Sequence, residues 1–253
     1  MRITILGSGT GWIRLDRNSP GYLVEKDGFL LVLDLGYGVL KQILKLGYGL
    51  EDLSAIFISH FHPDHISDLI PFFFASRYKL GYRRVQPVHV YAPKGFLTFL
   101  EKLNQALNHW VEPPKEIFRL IELPLTEGYE FSIGPFKAKT SPVKHNPESL
   151  AIRLETQGKS LVYSGDTGFC SSLIRLAEKA DVLILECANS EDFKVEGHLS
   201  PTEAGVIAEE SRVGKLILSH FYPHSEKKEI PDIIKKHFSG EVILAEDFMV
   251  LTL

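Results

Sequence analysis

Six consecutive positions carry the densest chemistry in the chain: His60-Phe61-His62-Pro63-Asp64-His65. Alternate residues on an extended segment point the same way, so His60 and His62 can close on one cation while Asp64 and His65 turn toward a neighbouring position. Imidazole and carboxylate donors suit Zn²⁺, Mn²⁺ or Fe²⁺, and the lack of thiolates in the run argues against a purely structural zinc centre. The only cysteines, Cys170 and Cys187, are not spaced as a Cys-x-x-Cys pair and read as reduced, mostly buried thiols. The chemistry that this favours is metal-assisted hydrolysis.

A loop of this kind must be held at a strand end. Residues 53–59 form an apolar run that predicts a buried strand delivering the cluster at its C-terminal end. Residues 2–6 predict a strand running into Gly7-Ser8-Gly9-Thr10-Gly11, a loop on the floor of the site; these glycines do not form a dinucleotide-binding fingerprint before a helix. Two strands ending at Glu25 and Asp34 are joined by the turn signal Asp27-Gly28. Helical spacing follows over residues 39–46, 68–78 and 95–110, with a strand at 88–92. A hairpin about Gly134-Pro135 and two strands separated by Gln157-Gly158-Lys159 come next. Thereafter helices at 171–179, 201–211 and 230–237 alternate with strands at 182–186, 216–219 and 242–245. Hairpins first and β/α alternation last predict an α/β fold: two mixed β-sheets packed together with helices on the outer faces, an αββα sandwich.

No Pro/Gly/Ser-rich linker divides the 253 residues, so residues 1–253 are expected to form one domain. A formal charge of −4 excludes a general nucleic-acid binder and leaves any polyanion to be met locally. The apolar run after Met1 is too short for a signal-peptide core or a membrane span, which makes the expected location cytoplasmic and a membrane partner unexpected.

The run at 60–65 resembles the metal-binding signature of the metallo-β-lactamase superfamily, and the rest of that pattern follows in order. His145, Asp166 within Tyr163-Ser164-Gly165-Asp166-Thr167, and His220 within Leu218-Ser219-His220 each stand at a predicted strand end, and Asp34 matches an early aspartate that usually supports the ligands from behind. The resemblance covers nearly the whole chain. It implies one metal held by His60, His62, His145 and Asp166, and a second by Asp64, His65, Asp166 and His220, with Asp166 bridging. A carboxylate has two oxygens for that role, whereas a histidine offers one free lone pair.

Two further segments resemble the ribonuclease Z-like branch. Leu185-Glu186-Cys187-Ala188 is similar to its His-Glu-Ala-Thr segment at Glu186 and Ala188, and residues 197–205 are similar to its His-Ser-Thr loop leading into a helix. Ser200 and Glu203 there read as a capping box. The resemblance makes His198 the general acid that protonates a departing oxygen, with Glu186 orienting it and Asp64 helping to orient or deprotonate the attacking water. The endonucleases of the branch carry a basic arm between the positions of His145 and Asp166. Here residues 146–165 are filled by two predicted strands and a turn, which leaves no room for it. The spacing is closer to that of the PhnP-like cyclic phosphodiesterases, although the cysteines of their additional zinc site are missing.

The expectation is therefore a dinuclear Zn²⁺ or Mn²⁺ hydrolase, with Fe²⁺ also suited, acting as a phosphodiesterase on a small or cyclic phosphodiester or nucleotide. Competing readings are a tRNA 3′-processing endonuclease, a lactonase or thioesterase, and a non-catalytic metal-binding protein. RNA is a less favoured partner, and a homodimer is left open. The basic and aromatic stretch that includes Arg77, Tyr78, Tyr82 and Arg83 is a candidate for holding substrate, although a solvated helix end explains it as well.

Overall fold

The computed structural model describes residues 1–78, 86–226 and 229–253, without the side chain of Tyr78. One sheet opens with β1 (Arg2–Gly7), β2 (Gly21–Lys26) and β3 (Phe29–Leu33), an antiparallel meander. Three parallel strands continue it: β4 (Ala55–Phe57), β5 (Val88–Pro93) and β6 (Phe118–Leu123). The second sheet repeats the scheme. Here β7 (Tyr129–Ile133), β8 (Phe136–Pro142), β9 (Leu150–Thr156) and β10 (Lys159–Tyr163) run antiparallel. They are followed by parallel β11 (Val182–Glu186), β12 (Lys215–Ser219) and β13 (Glu241–Leu244). Finally β14 (Val250–Thr252) pairs with β1, bringing the last residues back to the first sheet.

The period-two alternation of the strands decides the layers. Ile3, Ile5, Leu31, Leu33, Leu161, Tyr163 and Ile184 point between the sheets into one shared core. Their neighbours point outward: Leu30 and Val32 meet α1 (Val39–Lys45), α3 (Leu69–Tyr78) and α4 (Phe96–Ala106), which follow the chain around the short α2 (Pro63–Ile66). Val162, Leu183 and Leu185 meet α5 (Ser171–Leu176), α6 (Pro201–Ser211) and α7 (Ile230–Ile234). Both sheets are thus covered on both faces, as the sequence patterning predicts. No helix among the described residues is long and apolar enough to cross a membrane.

Several elements are shorter than their apolar periodicity. The predicted strand at 53–59 pairs only as Ala55–Phe57, because the Ser59 amide leaves the ladder to donate to the Asp34 carboxylate. Helix α4 stops at Ala106, ahead of Asn108 and His109, which both take left-handed backbone angles; Lys179 does the same beyond α5. Strands β6 and β14 lie at or near a sheet edge, where half-exposed residues give little alternation to read. The capping box on α6 forms as predicted: the Glu203 amide donates to Ser200 Oγ and the Ser200 amide to Glu203 Oε2.

Candidate metal centre

The loops after β3, β4, β8, β10, β11 and β12 converge at one edge of the sandwich, where the parallel strands end. In open α/β sheets that is where ligands bind. Asp34, just past β3, is buried and held at φ 58°, a left-handed conformation that costs free energy in a non-glycine residue. Its carboxylate accepts four hydrogen bonds: from the Ser59 amide (2.7 Å), Ser59 Oγ (2.7 Å), Tyr163 Oη (2.5 Å) and His65 Nδ1 (2.7 Å). With Nδ1–H committed to Asp34, His65 turns Nε2 to the centre of the site. Gly36 is required nearby, since a Cβ there would lie 2.0 Å from the Asp64 carbonyl oxygen.

Among the described residues three groups of potential ligand atoms form, each with its atoms within 4.8 Å of one another. Asp166, His198 and His220 make one; of the other two, His60, His62, His145 and Asp166 come together on one side and Asp64, His65 and His220 on the other. Asp166 divides its oxygens between the two sides. Oδ2 lies 3.7 Å from His60 Nε2 and 3.9 Å from His145 Nε2, whereas Oδ1 lies 3.3 Å from His65 Nε2 and 3.5 Å from His220 Nε2. His220 Nε2 is also 3.5 Å from Asp64 Oδ2. His62 turns Nδ1 to within 3.1 Å of His145 Nε2, so two ring nitrogens face one spot.

These donors fit divalent cations. His60 Nε2, His65 Nε2 and His220 Nε2 are buried without a hydrogen-bond partner, an expensive arrangement for polar atoms unless a ligand satisfies them. Donor separations of 3–4 Å are what bonds of about 2.0–2.2 Å to a shared ion would span. Burial pushes the His60 and His145 imidazoles toward the neutral, metal-binding form. Burial opposes ionisation of Asp64 and Asp166 as well, but His65 and His220 override it and hold both carboxylates below their usual range. His65 goes the other way: burial would strip its proton, yet Asp166, Asp34 and Asp64 raise it, and a cation at Nε2 would displace that proton.

His198 is also half of a hydrogen-bonded pair. Glu186, buried at the end of β11, accepts from His198 Nδ1 (2.8 Å) and the Thr167 amide (3.0 Å) on Oε1, and from the Ala188 (2.9 Å) and Leu199 (3.3 Å) amides on Oε2. Nδ1 being taken, Nε2 is the nitrogen that His198 has left for a ligand. Its ring lies 4.9 Å from that of His145 and 5.9 Å from that of His220. Burial lowers the affinity of His198 for a proton, but the hydrogen bond and charge of Glu186 outweigh it and bring the pKa to about 9.

Some parts of the site have no signal in residue spacing. Asn189 fixes the loop that carries His198, donating to the Val195 (3.0 Å) and His198 (2.9 Å) carbonyls and accepting from the Val195 amide (2.9 Å). Gly197, at φ 85°, accepts from His145 Nδ1 (2.9 Å), and a Cβ there would lie 2.8 Å from that nitrogen. Asn146 sets its amide 3.0 Å from His62 Nε2, a contact hinted at only by its place next to His145. Tyr163 reads in sequence as an ordinary strand residue.

Of the candidate substrate residues, Arg77 donates to the His109 carbonyl at the surface (3.1 Å). Tyr82, Arg83 and the side chain of Tyr78 lie outside the described residues.

Comparison with known proteins agrees with this architecture. The family model described as anti-Pycsar protein Apyc1 matches residues 1–240. ML1173 of Mycobacterium leprae is 32% identical over 246 residues, covering 96% of this chain and 85% of that protein. The probable metallo-hydrolase YhfI of Bacillus subtilis is 29% identical over 255 residues, covering 99% of each. The crystal structure of YhfI, a metallo-β-lactamase fold protein, superposes with a TM-score of 0.85 at 27% identity over 99% of this chain and 98% of that one. Human tRNase Z, short form, shares the fold with a TM-score of 0.78 at 24% identity, covering 100% of this chain and 99% of that one.

Proposed function

We propose that this chain, which belongs to the anti-Pycsar protein Apyc1 family and is a metallo-hydrolase of the metallo-β-lactamase fold, is a two-metal phosphodiesterase for a small or cyclic phosphodiester such as a nucleotide. The observation that carries this reading is the Glu186–His198 pair set beside an aspartate that serves two ligand groups at once. Hydrolysis of an activated ester needs only a nucleophile. A phosphodiester whose leaving group is a sugar hydroxyl also needs a proton on the departing oxygen.

His60, His62, His145 and Asp166 would hold one cation, and Asp64, His65, Asp166 and His220 the other, with Zn²⁺ or Mn²⁺ the best matches to the donors and Fe²⁺ also suited. When bound, such ions polarise phosphoryl oxygens and acidify water. Asp64 orients the attacking water, and the proton that the water loses passes to solvent. Phosphorus gains the water oxygen and loses the ester oxygen, which leaves with the proton of His198. Glu186 keeps the imidazole protonated and aimed, and Asp34 keeps Nε2 of His65 turned inward.

A small substrate is supported by the passage from His145 to Asp166, where β9 and β10 and a tight turn account for the chain without any projecting arm. Metal-loaded protein assayed on bis-p-nitrophenyl phosphate and a panel of 2′,3′- and 3′,5′-cyclic nucleotides tests the reading. Turnover of at least one of these is expected. Cleavage of lactones or thioesters with every phosphodiester left intact would overturn it.

A further inference from the structure

Three rings stand together at the rim of the site on two separate loops. Tyr222 and His224 stack with centroids 5.5 Å apart at 23°, and Phe193 meets His224 edge-on at 5.2 Å and 85°. The cluster reaches the metal groups through Tyr222, whose ring lies 6.2 Å from that of His220. It is not buried core: Phe193 is 56% exposed, His224 is exposed and Tyr222 half-buried.

Both loops are tied down. Phe193 and Ser190 exchange hydrogen bonds, the Phe193 amide donating to Ser190 Oγ and the Ser190 amide to the Phe193 carbonyl, within the segment stapled by Asn189. The Tyr222 carbonyl accepts from the Ser225 amide and from Ser225 Oγ, and Glu226 forms ion pairs with Arg17 and Arg14. Arg17 in addition lies over the Phe221 ring at 5.1 Å. Aromatic surface held rigidly in water is costly, and it is repaid when a flat partner covers it.

We propose that Phe193, Tyr222 and His224 form a stacking platform for the base of a nucleotide whose phosphate lies at the His/Asp site. The inference rests on the phosphodiesterase reading and deepens it, since it names the part of the substrate beyond the phosphate. Every base has a π face, so such a platform accepts purines and pyrimidines alike with modest preference. Because Phe193 rides on the loop that carries His198, base binding and presentation of the proton donor share one segment.

The test compares a 3′,5′-cyclic nucleotide with its base-free counterpart, 1-deoxyribose 3′,5′-cyclic phosphate, in wild type, Phe193→Ala and His224→Ala. The preference of the wild type for the nucleotide is expected to shrink about fivefold or more in each variant, through KM, and to return in Phe193→Trp and His224→Tyr. Unchanged circular dichroism and melting establish that the variants fold. Calorimetry on metal-loaded protein with nucleoside 5′-monophosphates against 1-deoxyribose 5-phosphate reads the same preference without turnover. If the wild type cleaves no phosphodiester, the hydrolytic reading falls alone, and base-dependent binding lost in both Ala variants still supports the platform. Equal binding of nucleoside and base-free phosphates, or a preference that survives both substitutions, overturns the platform even if hydrolysis is robust.

Discussion

His198 Nδ1 donates to Glu186 Oε1 across 2.8 Å, and three backbone amides hold the Glu186 carboxylate in place for it. The strand end of β11 thereby fixes the tautomer and charge of a histidine carried on a different loop. A carboxylate so thoroughly bonded cannot swing away.

The first prediction concerns pH. The pKa of His198 is raised to about 9 by the Glu186 charge working against burial, and the proton donor is the charged form. Activity that needs this proton is therefore present below that pKa and lost as pH rises through it. Glu186→Gln removes the charge, so the alkaline limb of kcat should move to lower pH. Full pH profiles of both proteins check this, and superimposable alkaline limbs would argue against His198 as the titrating donor.

Removing the metal should act on both stability and activity. The buried, unpartnered nitrogens of His60, His65 and His220 lose their only compensation when a chelator strips the site. Cation at about 100 times its Kd contributes roughly 2.7 kcal/mol, which corresponds to a rise in Tm of about 5–10 °C for a chain of this size. Affinity should weaken at acid pH, because His65 must give up its proton to bind. Scanning calorimetry of stripped and reloaded protein at two pH values measures both effects.

Asn146 offers a sharper test of the ligand assignment. If His62 gives the lone pair of Nδ1 to a cation, its Nε2 carries hydrogen and needs an acceptor, which the Asn146 amide supplies with its oxygen turned to that nitrogen. Asn146→Asp keeps an acceptor and should retain metal, whereas Asn146→Leu should lose about 10–100-fold in affinity. Titration of the apo proteins with Zn²⁺ or Co²⁺ separates these outcomes; equal affinities would place Nδ1 elsewhere.

How much of this was legible in sequence depends on whether neighbours in space are also ordered along the chain. The side chains that cluster at the site were readable as a set because His60, His62, Asp64 and His65 share one loop and His145, Asp166 and His220 each follow a strand. The layers were readable because alternation in β3, β10 and β11 sends one set of side chains to each core. Tyr163 was not, since the same alternation predicts its ring in the core but says nothing of a hydroxyl that reaches Asp34. Asn189 and Gly197 act through loop carbonyls, and Phe193 meets His224 only through folding. Helix ends were misplaced where Asn108 and Lys179 turn left-handed, a choice that periodicity does not record.

The most direct test of the central claim is the leaving-group dependence of His198→Ala. A p-nitrophenolate departs without a proton, but a sugar alkoxide does not, so the same substitution should cost very different amounts on the two. We predict that kcat falls about 10²–10⁴-fold on a cyclic nucleotide and only slightly on bis-p-nitrophenyl phosphate, with metal content unchanged. Equal losses on both substrates, or no loss on either, would contradict the account of a phosphodiesterase that uses His198 as its acid.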